Sequence, residues 1–467
     1  NIPLTSNGKI DRRSLPAVSS EDLIQAEYIA AQTAEEKALV EVCEQVLKHS
    51  PISLRDNYYN LGGDSIKSIQ IVSRLRQRGY HLKVEHILQY PVLEELSRYI
   101  TTDFVVIDQA VITGSANLTP IQRYFFESGE IVNKNHYNQS VILKSSERLS
   151  GNVLESSIKT LVSHHDALRM VYREEFGLWS QYNQGIEESH YRLEYFDLRD
   201  SGSESEELLR LQEIGENLQS SINIESGILF HIGHVSMSDG DRLLLIIHHL
   251  VVDGVSWRIL LEDLGTLYES GIKKETYALP SKTDSFQSWG HALEQYSSSS
   301  ALSKELVYWK KKHGREVLTT GLDISRTVGW FTSVYPFSLD ISDISQPALV
   351  SVKESLRNIP HKGIGYGILK YLGQGLSSAE RPSVQFNYLG DFDDATGSTF
   401  QYTTENMGDP VSKDNQRTDI LLDVSGMTVN GEMTINFRYS DKVFDSEISG
   451  SGTFLSRTSF NPVQLPG

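Results

Sequence analysis

The chain has 467 residues, 39% hydrophobic and 22% charged, which is a globular balance and too much chain for one ordinary core. The formal net charge of −18 repels nucleic acid and anionic membrane, so neither is expected as a partner, whereas basic patches on other proteins suit such a surface. One cysteine, Cys43, excludes an intrachain disulfide and, on the apolar face of a predicted helix, reads as packing in a reducing, cytoplasmic setting.

The start, Asn1-Ile2-Pro3, lacks the basic and apolar regions of a signal peptide and reads as a cut in mid-motif. Residues 1–18 contain an Asn7-Gly8 turn, and residues 19–32 are a small, polar linker. Thr33 and Glu36 then have capping-box spacing. Leu39, Val42, Cys43, Val46 and Leu47 follow at helical intervals. Pro51 and Asp56-Asn57 mark a loop. A second helix opens at Leu61-Gly62-Gly63-Asp64-Ser65, with Ile66, Ile69, Val72 and Leu75 on one side and Gly79 at its close. Pro91 sits at the first turn of a last helix, Val92 to Ile100. Residues 33–102 thus predict a small all-α bundle of three or four helices.

Residues 103–117 read as a second connector. From Leu118 strands and helices alternate, without the regular repeat of a doubly wound sheet or barrel. Leu243 to Ile247 is a buried strand, far too short to span a bilayer, and Trp257, Leu260, Leu261, Leu264, Leu267 and Tyr268 form a helical stripe. Trp330 to Leu339, Val384 to Tyr388 and Met433 to Tyr439 are strand-like. Residues 446–467 match no recognisable pattern.

Two motifs carry chemistry. In Leu61-Gly62-Gly63-Asp64-Ser65-Ile66, two glycines strip bulk from before a serine at a helix N-terminus, which exposes the hydroxyl and favours a phosphodiester there. A plain N-cap at Asp64 or Ser65 is the bland alternative. In His248-His249-Leu250-Val251-Val252-Asp253-Gly254, a strand delivers two histidines into a turn. Neighbours on a strand face opposite ways, so only one points into a given cavity. Histidine suits proton transfer near neutral pH. Core packing is the alternative, and a metal pair is weak because adjacent residues do not easily share an ion.

In context, residues 33–102 resemble the peptidyl carrier protein of nonribosomal peptide synthetases, where the serine at Ser65 carries covalent 4′-phosphopantetheine. Asp64 is similar to carriers that precede epimerization domains. Residues 3–15 resemble the last motif of an adenylation domain, with Lys9 at its lysine and no catalytic work for it here. The His248-His249 segment resembles the condensation-type domains of the same assembly lines. That likeness implies an α/β fold of two chloramphenicol-acetyltransferase-like lobes, 118–310 and 311–445. It also makes His249 the active-site residue and Asp253 a structural partner of a distant arginine, matched by Arg326.

Thr119 to Phe125, His164 to Arg169, Arg326 to Thr332, Gly363 to Gly367 and Phe386 to Gly390 look like the epimerization set, closest to initiation modules of the gramicidin S and tyrocidine kind. That likeness alone suggests phenylalanine as the amino acid. His164 and His165 read as capping or packing. Asn387 and Tyr388, at a strand end, are placed by the family at the cavity, with a buried, backbone-bonded tyrosine as the alternative.

The likeness implies an isomerase that converts a carrier-bound L-aminoacyl thioester to D, without metal, in antibiotic biosynthesis. Its partners would be a phosphopantetheinyl transferase, an upstream adenylation domain and the condensation domain of the next synthetase. His249 would work one face of the α-carbon and a glutamate the other, with Tyr388 in support. That glutamate should stand two positions before His313 of His313-Gly314-Arg315-Glu316, and Lys311 is there instead. The abrupt passage from Tyr308-Trp309-Lys310 reads as skipped segments, or else as an internal deletion. A peptide-bond-forming condensation domain and an inactive docking domain are the other readings.

Overall fold

The computed structural model describes residues 28–439 except 64, 103–106, 130, 188, 277, 312–319, 339–347, 374–375, 377–381, 392–398, 404, 416–419 and 430–431. Lys9, Asp64, His313 to Glu316 and residues 446–467 lie outside the described residues. The chain divides into two units, Asn1–Val106 and Ile107–Gly467.

The first unit contains α1 (Ala34–Leu47), α2 (Ser65–Gln77), α3 (Val84–Gln89) and α4 (Leu93–Ser97). The Thr33–Glu36 capping box forms and starts α1. Leu39, Val42 and Cys43 are fully buried, and burial pushes the Cys43 thiol up to about 12, which leaves it inert. α2 turns Ser68, Ile71, Val72 and Leu75 inward, so the predicted face was placed too far toward Ile69, which is half-buried. The helix expected over 92–100 is shorter: α4 ends at Ser97.

Among the described residues the second unit has three sheets. The largest has the order β5 (Tyr191–Asp197), β6 (Phe230–Met237), β7 (Gly240–His248), β2 (Asn138–Ser145), β9 (Gln401–Tyr402). Every residue of β7 is buried, as its apolar run requires of a central strand. A second sheet joins β1 (Gly114–Ala116), β4 (Leu178–Asn183) and β3 (Met170–Glu175). The third joins β11 (Glu432–Tyr439), β10 (Leu422–Val429) and β8 (Val384–Asp391), with β8 and β10 parallel.

Around these lie α5 (Pro120–Glu127), α6 (Gly151–His164), α7 (Glu204–Ser220), α8 (Gly254–Lys273), α9 (Phe286–Ser297), α10 (Ser300–Lys311), α11 (Ala348–Arg357) and α12 (Ile364–Tyr371). α6 packs on α8, and α7 on β6 and β7. β9 comes from late in the chain, yet it pairs antiparallel with β2 through Leu143–Tyr402 and Lys144–Gln401. The following segment clamps down beside it. Glu405 takes two hydrogen bonds from the buried Arg242, at 2.6 and 2.7 Å, and the Pro410 carbonyl accepts from Asn138 N–H at 2.8 Å.

One strand expectation fails. Residues 330–338 form no ladder. The segment instead wraps a buried Trp330 side chain and gives the Phe331 N–H to Asp253 at 3.0 Å. Among the described residues no helix is long and apolar enough to cross a membrane, and no three His, Cys, Asp or Glu side chains gather to hold a metal ion.

Candidate active site

The register of β2 against β7 sets Gln139 opposite Ile247. His249 N–H continues that pairing onto the Tyr137 carbonyl at 2.9 Å. Gln139 and His249 are therefore diagonal neighbours on one face of the sheet. A 3-10 turn, His249–Val251, then folds the chain back, and the Val252 carbonyl meets His249 Nδ1 at 2.8 Å. A carbonyl only accepts, so the ring proton sits on Nδ1 and Nε2 offers a lone pair. The Gln139 side-chain nitrogen stands 3.1 Å from that Nε2, and its oxygen accepts from the Trp257 indole at 3.0 Å.

Aromatic rings wall the imidazole: Tyr137 stacks at 5.7 Å between centroids and Trp330 lies at 4.3 Å. Burial pulls the His249 pKa below its ordinary value, against the Val252 bond and the Asp253 charge, which both raise it. The outcome is a neutral imidazole with an unprotonated Nε2, the form a proton acceptor needs.

His248 faces the other way. It is fully buried, its Nε2 donates to the Lys134 carbonyl at 2.8 Å, and burial holds it at about 3. Its place is structural.

Asp253 is the N-cap of α8. It accepts from Ser256 N–H and Oγ at 2.9 Å each, and its second oxygen accepts from Phe331 N–H. Its expected pairing with Arg326 is not formed. Arg326 bonds Asp263, and reaches Glu262 at 2.9 Å. The reason is local: Ser256 and Phe331 already occupy both oxygens of Asp253, while α8 offers Glu262 and Asp263 farther along. Asp263 also meets His165 Nε2 at 2.8 Å. Burial alone would raise the Asp263 carboxyl, but the His165 bond and the Arg326 charge outweigh it and hold it low. His165 is the C-cap of α6, and burial holds its neighbour His164 at about 4.

Asn387 and Tyr388 lie in mid-strand on β8, an edge strand, not at a strand end. Tyr388 is 46% exposed, and its hydroxyl meets Thr428 Oγ1 at 2.9 Å rather than a backbone group. Both residues line a cavity of about 960 Å³ whose walls include Trp330, Tyr335 and Tyr366. No hydrogen bond joins His249 to Asn387 or Tyr388. The link runs through Trp330, which lines the cavity and packs on His249. Leu389 of β8 also packs against Gly254, where α8 begins.

The glycine motif on α12 has steric causes. Gly363 has φ +86°, and a Cβ there would overlap the Tyr335 ring. A Cβ on Gly365 would overlap Glu305, a buried carboxylate that accepts from Tyr296 at 2.9 Å and pairs with His361 at 2.5 Å.

The sequence reading missed Gln139, Tyr137, Trp257 and Trp330 as site residues. A faint signal existed: Asn138-Gln139-Ser140 are polar at the head of a strand that continues Val141-Ile142-Leu143.

Ser65 is the first residue of α2. Gly62 before it has φ +83° and open space around a would-be Cβ, and Gly63 is kept bare by the Tyr58 ring. Tyr58 is in turn fixed by Ser68 Oγ at 3.1 Å. A serine at a helix N-terminus fits a phosphodiester-linked arm. Lys311 ends α10, and no glutamate replaces it in the continuous chain.

Residues 37–100 match the phosphopantetheine attachment site family, and residues 112–322 and 311–451 match the condensation domain family in two pieces that overlap over residues 311–322. Surfactin synthase subunit 2 of Bacillus subtilis is 36% identical over 526 positions, which cover 95% of this chain and 14% of that protein. Those 526 positions exceed the chain's 467 residues, so the relative carries stretches this chain lacks. Gramicidin S synthase 1 of Brevibacillus brevis is 34% identical over 96% of this chain and 49% of its own length. The chain thus spans half or less of these relatives. Among solved structures, the epimerization domain from the third module of tyrocidine synthetase B is 30% identical with a TM-score of 0.66, covering 72% of this chain and 93% of that one. The chain belongs to the condensation-domain family, joined to a phosphopantetheine carrier domain in the arrangement of the nonribosomal peptide synthetases.

Proposed function

We propose that the chain carries an aminoacyl group through phosphopantetheine on Ser65 and epimerises its α-carbon, L to D, in nonribosomal peptide synthesis. The observation that carries this reading is the His249 imidazole, held neutral with Nε2 unprotonated beside a cavity wall. The motifs at Arg326 to Thr332, Gly363 to Gly367 and Phe386 to Gly390 support it, as does the likeness to an epimerization domain.

When attached, the arm supplies a thioester that acidifies the neighbouring α C–H and keeps the substrate at high local concentration. His249 Nε2 accepts that proton, and the Val252 carbonyl steadies the charged ring through Nδ1. Asn387 and Tyr388 are polar groups that β8 presents to the cavity; the Asn387 amide orients the substrate, and the Tyr388 hydroxyl gives a proton to the other face of the α-carbon. Asp253 and Arg326 hold the turn and α8 in place. The transferase that loads Ser65, an upstream adenylation domain and a downstream condensation domain are the partners of this scheme, set in the cytoplasm.

The test is direct. The chain is loaded with an L-aminoacyl pantetheine, quenched, hydrolysed and analysed by chiral chromatography. A D/L mixture is expected, and unchanged L-amino acid overturns the reading. A second reading, amide formation, is favoured by the condensation-family match; it requires an acceptor carrier and yields peptide in the same assay. A third, a docking domain without chemistry, rests on Lys311, and Lys311→Glu then restores no exchange.

A further inference from the structure

The His249 ring is held at both nitrogens, and one of the holding groups is a side chain outside every motif named above. An amide has two ends of opposite hydrogen-bonding character. The Trp257 indole can only donate, so the Gln139 oxygen must face it at 3.0 Å. That fixes the Gln139 NH₂ group toward His249 Nε2 at 3.1 Å. A lone pair on Nε2 accepts from this group. A proton on Nε2 would set donor against donor.

The Val252 carbonyl does not discriminate in this way, because Nδ1 carries a proton in both the neutral ring and the cation. Selection against the cation therefore falls to the Trp257–Gln139 pair. It is separate from burial, which acts in the same direction.

We propose that Gln139, locked in orientation by Trp257, is a positioning residue that keeps His249 Nε2 deprotonated and yields that place when substrate enters. The role as acceptor rests on the function proposed above; the control of protonation does not. The titratable groups facing His249 are few. Asp253 follows on the same turn with its oxygens engaged by Ser256 and Phe331. Tyr137 stacks on the ring from the β2 side, and His248 points to the opposite face. None of these hydrogen-bonds the imidazole.

The experiment titrates the full chain labelled with ¹³C at histidine Cε1, over roughly pH 4 to 9, with His249 assigned by H249Q. Q139E places a carboxylate at Nε2 while still accepting from Trp257, and is expected to move the His249 midpoint up by at least ~1 pH unit. Q139M, similar in size but without a donor, moves it up by less. W257F frees the amide to turn over and moves it in the same direction. A His249 midpoint unmoved in both Q139E and Q139M, with the other histidine signals unchanged, overturns the proposal. Exchange of the substrate α-proton with D₂O is followed in parallel, and its acidic limb should shift with the midpoint. If the midpoint moves but the unsubstituted chain exchanges nothing, the positioning role stands and the epimerase reading falls. If exchange proceeds and the midpoint stays, the positioning role falls alone.

Discussion

Arg326 bonds Asp263 on α8, while Asp253 caps the start of that same helix. The two carboxylates therefore do different work. Asp263 is the buried counter-charge of a buried guanidinium, so Asp263→Asn leaves Arg326 leaning on the more exposed Glu262 and is expected to cost about 1.5–3 kcal/mol in urea unfolding. Asp253→Ala and Arg326→Ala should add to within about 0.5 kcal/mol, as independent sites do. A coupling above ~1 kcal/mol would restore the direct pair that the structure lacks.

His249→Ala removes the proposed proton acceptor. Deuterium exchange at the α-carbon of the loaded chain should drop about 10²–10⁴-fold. Undiminished exchange would take His249 out of the mechanism. Tyr388→Phe deletes only the hydroxyl held by Thr428. A rate unchanged by it would confine Tyr388 to lining the cavity.

Acid should destabilise the fold well above the ordinary carboxylate range. Burial holds His164 and His231 at about 4 and His248 at about 3. The unfolded chain takes up these protons near pH ~6.5 and the folded chain does not. Stability is thus fully present above about pH 6.5 and is lost progressively as pH falls toward those depressed values. The urea midpoint should be level from about pH 7 to 8 and decline from about pH 6.5 to 4. His248→Gln should flatten that decline while lowering the midpoint throughout, since it disturbs the Lys134 contact. A decline of unchanged steepness would remove His248 from the account.

Gly365→Ala should cost about 1–3 kcal/mol, because the new methyl overlaps a buried carboxylate that Tyr296 and His361 hold in place. Glu305→Asp, which withdraws that carboxylate, should recover part of the loss in the double variant. Equal stability of Gly365→Ala and the parent would show that α10 and α12 separate at no cost.

Local signals were the legible ones. The capping box of α1, the strand through Leu243 to Ile247 and the helical stripe from Trp257 to Tyr268 are each written within a few residues, and each formed, the strand and the helix running longer at both ends than read. Long-range pairings were not legible. Gln139 reaches His249 only because of the β2–β7 register, which no window of sequence contains. Arg326 was assigned to Asp253 by likeness, but the choice among Asp253, Glu262 and Asp263 is made by capping geometry. Residues 330–338 looked like a strand because their apolar residues are spaced like one; the burial of Trp330 and the Phe331 bond to Asp253 use that spacing differently.

The placement of β9 beside β2 also sets where this chain tolerates cutting. β2 would otherwise end the largest sheet, with unpaired backbone groups along one side, a template for another chain's strand. Arg242 would keep its charge in the interior without Glu405. A protein stopped between α10 and β8 would thus lose solubility before it lost most of its secondary structure. Proteolytic halves of the second unit should stay associated after nicking and separate only on denaturation.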